Sequence, residues 1–218
     1  MTIVASTGCN DFATPAELDR AQIIVMISDP PAVPLRESSL MTIVVADSNG
    51  EVTTADVQWE VSSSVPELPP LGSVEVSGDT VTYNAPNALP SLPDLALVQA
   101  TVTVGDETLV GLKGVVIGPL QFVNPTITAL TAAGTDVMTA GAIEVSAGDT
   151  IDLAVTLDPP ADEMTTYAWY STIGEIEQYR STPTEFIAPA ESGDGWLFVV
   201  ARNDKGGATW HKVQLTVR

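Results

Sequence analysis

His211 is the single histidine of this chain and Cys9 the single cysteine. Nucleophilic catalysis by the serine or cysteine route needs a base beside the nucleophile and a third group to orient that base. His211 lies between Trp210 and Lys212 near one end of the chain, and Cys9 lies near the other. No such set is legible around either residue, and a zinc site of imidazoles and thiolates fails for the same shortage. Glu175 and Glu177 are spaced so that a strand would carry both carboxylates on one face, about 7 Å apart. That separation suits inverting glycoside hydrolysis, but the reaction holds its carboxyls across a cleft with one of them desolvated. Side by side on one strand they read as a solvated face. No catalytic residue is assigned, and the chain is expected not to be an enzyme.

Hard oxygen ligands are plentiful. Calcium takes about six to eight oxygens, and acidic loops at the end of a β-sandwich can supply them. Asp158 and Asp162 precede the segment around Trp169, and Asn203-Asp204 would lie at a neighbouring end. These four are the ligands a calcium site would draw on, calcium being the one cofactor considered. EF-hand spacing is absent, so no cofactor is expected and the acidic loops read as ordinary solvated ones. Tyr170, Tyr179 and Trp210 are candidates to face outward and grip sugar rings or a protein partner, or else to pack under loops and between domains.

Charge narrows the partners. Eight Lys and Arg stand against 28 Asp and Glu, a net charge of −20. Divided at Gly118, the halves carry 15 acidic with 3 basic residues and 13 with 5, so the nets are −12 and −8. A phosphate backbone requires clustered cations, which excludes nucleic acid. An anionic bilayer would also repel the protein, leaving a lipid anchor as its only route to a membrane. Such charge serves solubility and resists self-association.

With Cys9 alone, no disulfide forms inside either half, so packing must hold each together. The segment Val4-Ala5-Ser6-Thr7-Gly8-Cys9 resembles the end of a bacterial lipoprotein signal, although Ser6 stands where leucine is usual. Cys9 is therefore the expected lipidation site, the alternative being an ordinary residue in a loose N-terminus.

The elements that position these groups repeat. Trp59 and Trp169 each sit on a short alternating segment. Leu71-Gly72-Ser73-Val74 is echoed by Ile173-Gly174-Glu175-Ile176, and Thr82-Tyr83-Asn84-Ala85-Pro86 by Glu185-Phe186-Ile187-Ala188-Pro189. Val98-Gln99-Ala100 returns as Val199-Val200-Ala201. Period-two alternation, with Gly and Pro between the apolar runs, predicts strands and turns throughout. A repeat of about 100 residues with that content predicts two all-β, immunoglobulin-like sandwiches in tandem. The expected division is 1–19 as a lead segment, 20–118 as the first domain and 119–218 as the second. Thr14-Pro15 with Glu17 suggests a short helical turn in the lead. Leu120, Phe122 and Val123 in the linker suggest that the domains touch.

Four residues mark the expected core. Trp59 and Trp169 lie on equivalent strands, and Phe198 and Val200 have the spacing of the tyrosine and second cysteine of an immunoglobulin domain. Trp169 is expected to pack against Val200 and either Leu153 or Val155.

Residues 20 to 218 resemble the tandem immunoglobulin-like domains of bacterial cell-surface and envelope lipoproteins, through Trp59, Leu71–Val74 and Thr82–Pro86. The second half is also similar to polycystic-kidney-disease-type domains at Tyr167–Tyr170 and Val200–Gly207, without their Phe-Gly-Asp-Gly segment. The resemblance implies an extracytoplasmic location, in the periplasm or on the cell surface, and a protein partner within an envelope assembly. A structural or adhesive protein, or an accessory subunit, is therefore expected. A carbohydrate-binding module and a calcium-dependent adhesin module are the alternatives.

Overall fold

A computed structural model describes residues 16–52, 55–62, 69–89 and 94–218. The first half forms β1 (Gln22–Asp29), β2 (Ala32–Val33), β3 (Ser38–Asp47), β4 (Gly50–Glu51), β5 (Asp56–Ser62), β6 (Ser73–Ser77), β7 (Thr80–Asn84), β8 (Asp94–Val104) and β9 (Glu107–Ile117). The second forms β10 (Thr126–Ala132), β11 (Thr135–Asp136), β12 (Ala142–Val145), β13 (Thr150–Asp158), β14 (Thr166–Ser171), β15 (Glu175–Ile176), β16 (Thr184–Ile187), β17 (Gly193–Arg202) and β18 (Ala208–Val217). Each half folds into two facing sheets. Strand orders β1-β3-β7-β6 and β2-β9-β8-β5 build the first sandwich, and β11-β10-β13-β16-β15 and β12-β18-β17-β14 the second. Pairing is antiparallel except where the short β2 and β12 run parallel to β9 and β18. Five strands facing four in each sandwich, β4 pairing β3 in the first, is an immunoglobulin-like arrangement with its first strand split between the sheets.

The repeated motifs occupy equivalent places for a steric reason. Gly174 has φ +69°, and a β-carbon there would stand 2.5 Å from the Ile187 carbonyl oxygen and 2.7 Å from the Phe186 ring. Gly72, φ +95°, meets the Asn84 carbonyl oxygen and the Tyr83 ring in the same way. Only glycine fits a left-handed position pressed against an aromatic ring and backbone. Tyr83 and Phe186 are wholly buried, and the Tyr83 hydroxyl donates to the Leu71 carbonyl at 2.7 Å. Burial, with Asp94 nearby, pushes that phenol's pKa far up.

Trp169 is also fully buried, its indole N–H donating to the Ser181 carbonyl at 2.8 Å. It shares a core with Leu153, Leu197 and Val199. Trp59, its counterpart on β5, is only partly buried, against a first core that includes Tyr83, Val98 and Val115.

Two expectations need correction. Phe198 and Val200 do not pack against Trp169. Side chains alternate along a strand, so Leu197, Val199 and Ala201 fill the second core while Phe198 and Val200 project from the opposite face. The lead segment does not turn helically over its described part either. Ser171 donates its N–H to the Ala16 carbonyl at 2.8 Å, and Leu18 donates to the Ser171 carbonyl at 2.9 Å. Residues 16–18 thus run extended along β14, with Ala16 and Leu18 buried and Glu17 exposed. Burying both apolar side chains outweighs a single helical turn, which is marginal in isolation.

Candidate functional site

The face of β17 that carries Phe198 and Val200 is covered by the first sandwich. Ile24 and Val25 of β1 and Val44 and Ala46 of β3 join Phe198, Val200, Ala208 and Leu18 in one buried cluster. Tyr170, Trp196 and Trp210 pack around it, with Phe198 and Trp210 stacked at 6.4 Å between centroids and 19° between planes. Each fully buried large apolar side chain is worth roughly 1.5–3 kcal/mol, so this cluster dominates the contact between the domains. Polar staples fix the register. Arg202 donates to the Ile24 carbonyl at 3.0 Å, and Lys113 donates to the Gly206 carbonyl. Asn124 gives its amide N–H to the Ser28 carbonyl and accepts from the Ala208 N–H, both at 2.9 Å. Lys212 pairs with Glu51 at 2.7 Å and lies 5.1 Å from the Trp196 ring centroid. With both side chains about a third exposed, that ion pair adds under about 1 kcal/mol. Burial, and secondarily Arg202, pushes the Lys113 pKa down to about 8.

The domains therefore touch, through sheet faces and the linker's Asn124, while the linker's Leu120 and Val123 are exposed. Tyr170 and Trp210 belong to this contact as well.

Beside the seam, at the edge of β14, lies a hollow of about 480 Å³. Tyr167, Tyr170 and Tyr179 are its aromatic lining residues, and Arg180 and Arg202 its cationic ones. Gln22, Thr165 and Thr166 add hydrogen-bonding groups. The alternation of β14 explains the placement, since Tyr167 packs toward the second core and Tyr170 toward the interdomain cluster. Tyr179 arrives from the following loop, whose carbonyl accepts from the Trp169 N–H at 2.8 Å. Arg180 lies 5.2 Å from the Tyr179 ring centroid, a cation–π contact. Burial raises the Tyr167 pKa, helped by Asp162.

The four expected calcium ligands are not brought together as a site. Asp162 closes its own loop, with Oδ1 accepting from Met164 N–H and the Thr165 hydroxyl at 3.1 and 2.9 Å. The Thr165 bond, above all, holds its pKa below the usual carboxylate range. Asn203 Oδ1 is taken by the N–H groups of Lys205 and Gly207, and its amide donates to the Val123 carbonyl. Asp158 ends β13 and Asp204 sits exposed in the β17–β18 turn. Among the described residues, no three acidic, histidine or cysteine side chains converge as metal ligands. Short side chains in turns satisfy neighbouring backbone N–H groups, and that local bonding engages Oδ1 of Asp162 and of Asn203. Glu175 and Glu177 are both exposed, and His211 is partly buried on β18 with its pKa lowered by burial. Cys9 lies outside the described residues.

The hollow was missed because its parts come from β1, β14, β17 and a loop. The covered sheet face had a signal in the unbroken apolar run from Trp196 to Ala201. A strand wet on one side alternates, and one buried on both sides does not.

No protein-family model matches the chain, and no curated protein matches it. Solved structures do. A chimeric titin Z1Z2-Z1Z2 tandem carrying a fibronectin GRGDS peptide is 13% identical, over 91% of this chain and 100% of that one, with TM-score 0.33. The fibronectin(III)-like modules of Clostridium thermocellum CbhA are 13% identical, over 91% and 94%, with TM-score 0.34. The D00-D0 domain of intimin is 11% identical, over 89% and 98%, with TM-score 0.30. Likeness at this level concerns fold, and function has to be argued from the chain's own residues.

Proposed function

We propose that this chain is a non-enzymatic, extracytoplasmic structural or adhesive protein: a stiff two-domain spacer or accessory subunit docked on a larger bacterial envelope assembly. The observation that carries the reading is the buried cluster joining the outer face of the second domain's β14-β17-β18 sheet to β1 and β3 of the first. Tandem domains with small polar contacts swing relative to each other, whereas a hydrophobic contact couples them. A coupled pair holds its surfaces at a set spacing, which suits a spacer or docking subunit. The acidic surface keeps such a protein soluble away from its partner. In this reading the domains run over 20–118 and 119–218, and Cys9 is acylated in the envelope.

The test has two arms. Urea unfolding of the full chain, followed by tryptophan fluorescence and circular dichroism, should give one coincident transition, and two separated transitions would end the stiff-spacer reading. Protein from its native cells should fractionate with the envelope, cleaved after Gly8 and carrying acyl chains on Cys9 by intact mass. A soluble cytosolic pool retaining Met1 would end the envelope reading.

A further inference from the structure

We propose that the hollow at the β14 edge binds a carboxylated saccharide, with Tyr179 stacking on the sugar ring by the face that Arg180 does not cover and Arg180 and Arg202 holding its carboxylate. This deepens the adhesive reading and rests on it for biological context. The volume, about 480 Å³, is that of a small-ligand site. Phenol rings offer flat apolar faces with a polar tip, the surface that the C–H face of a pyranose ring covers.

The cations are the second observation. Only eight Lys and Arg occur among 28 acidic residues, yet two guanidiniums line this hollow, and none of its described lining residues is acidic. Neither arginine has a carboxylate partner among the described residues. Arg202 spends one N–H on the Ile24 carbonyl, and a guanidinium has five donors in a planar fork matched to carboxylate. Asp162 stands near Tyr167, but its Oδ1 is engaged by Thr165 and Met164. Gln22 and Thr166 remain for sugar hydroxyls.

The edge of β14 argues for a sugar over an extended peptide. A peptide that adds a strand needs a run of free backbone N–H and C=O groups. Here Ala16 and Leu18 already bond Ser171 on that edge, and the Tyr179 carbonyl already accepts from Trp169. What remains open is a pocket and not a rail. A dense polyanion such as nucleic acid is disfavoured by the net charge of −20.

Calorimetric titration of the full chain tests this, with trigalacturonate, a glucuronate-containing hyaluronan tetrasaccharide and sialyllactose as probes. Methyl-esterified trigalacturonate is the matched neutral control. At least one acidic probe should bind, and Arg180→Glu should weaken it at least tenfold with an unchanged melting temperature, since Arg180 is exposed. Tyr179→Ala should weaken it comparably, and Arg36→Ala, elsewhere on the surface, should not. Where trigalacturonate binds, its ester should bind at least tenfold more weakly. The proposal is overturned if no acidic probe binds, if the ester binds as well as its acid, if folded Arg180→Glu binds normally, or if an acidic hexapeptide displaces the sugar. Failure here leaves the spacer reading standing, because that reading is judged by unfolding and fractionation.

Discussion

Phe198→Ala separates an interdomain contact from an ordinary sandwich core. The side chain is wholly buried, stacked on Trp210 and clustered with Val200, Ala208, Ile24, Val25, Val44 and Ala46. Truncating a buried phenylalanine costs about 3–5 kcal/mol, from lost transfer energy and the cavity left behind. Trp210 is only partly buried and can shift into the void, so the lower end, about 3 kcal/mol, is expected. The decisive quantity is coupling to the other domain. Urea unfolding of the full chain would be measured for Phe198→Ala, for Val44→Ala on β3, and for both together. Residues that share a cavity couple by about 0.5–3 kcal/mol, whereas independent ones add within roughly 0.3–0.5 kcal/mol. A coupling above that scatter is expected. A Phe198→Ala loss below about 1 kcal/mol, typical of surface positions, or strict additivity with Val44→Ala, would refute the argument that the second domain's sheet is buried against the first.

Trp169→Ala should cost about 3–5 kcal/mol in the same assay, with no coupling to Val44→Ala, because the indole lies in the second core. Gly174→Ala should destabilise by more than the ~1 kcal/mol typical of a point mutation, through its left-handed φ and the contact with Phe186, whereas Gly78→Ala, whose added methyl would meet nothing within 4 Å, should cost less. Ser28 Oγ is buried with no hydrogen-bond partner among the described residues, so Ser28→Ala should leave thermal stability unchanged or raise it by about 1 kcal/mol. Lys113 supplies a pH signature. Its pKa is about 8 when folded against 10.5 otherwise, so between those values the unfolded chain binds more protons and stability rises with pH. The ceiling is about 3 kcal/mol at 1.36 kcal/mol per unit, read below about pH 10, the ordinary pKa of a tyrosine in an unfolded chain. Lys113→Met should flatten the pH 8–10 slope in urea midpoints, and an unchanged slope would assign it to other groups.

The tandem sandwich was legible because its causes are local. Period-two alternation gives strands, and Leu71-Gly72 and Ile173-Gly174 recur because a left-handed residue under an aromatic ring has to be glycine. Net charge argues against nucleic acid without reference to shape. What local pattern cannot convey is the identity of the layer that lies against a sheet's outer face. Phe198 and Val200 looked like core markers, and they are buried, but their companions Ile24 and Val44 lie far away in sequence on the other sandwich. Alternation tells which residues share a face, and only packing tells what covers it. The hollow shows the same division, since Gln22, Tyr167, Arg180 and Arg202 meet only once β1 has docked beside β14 and β17. Asp162 and Asn203 show the local counterpart: each turn engages one side-chain oxygen, at distances of 2.7–3.1 Å that no residue spacing reveals.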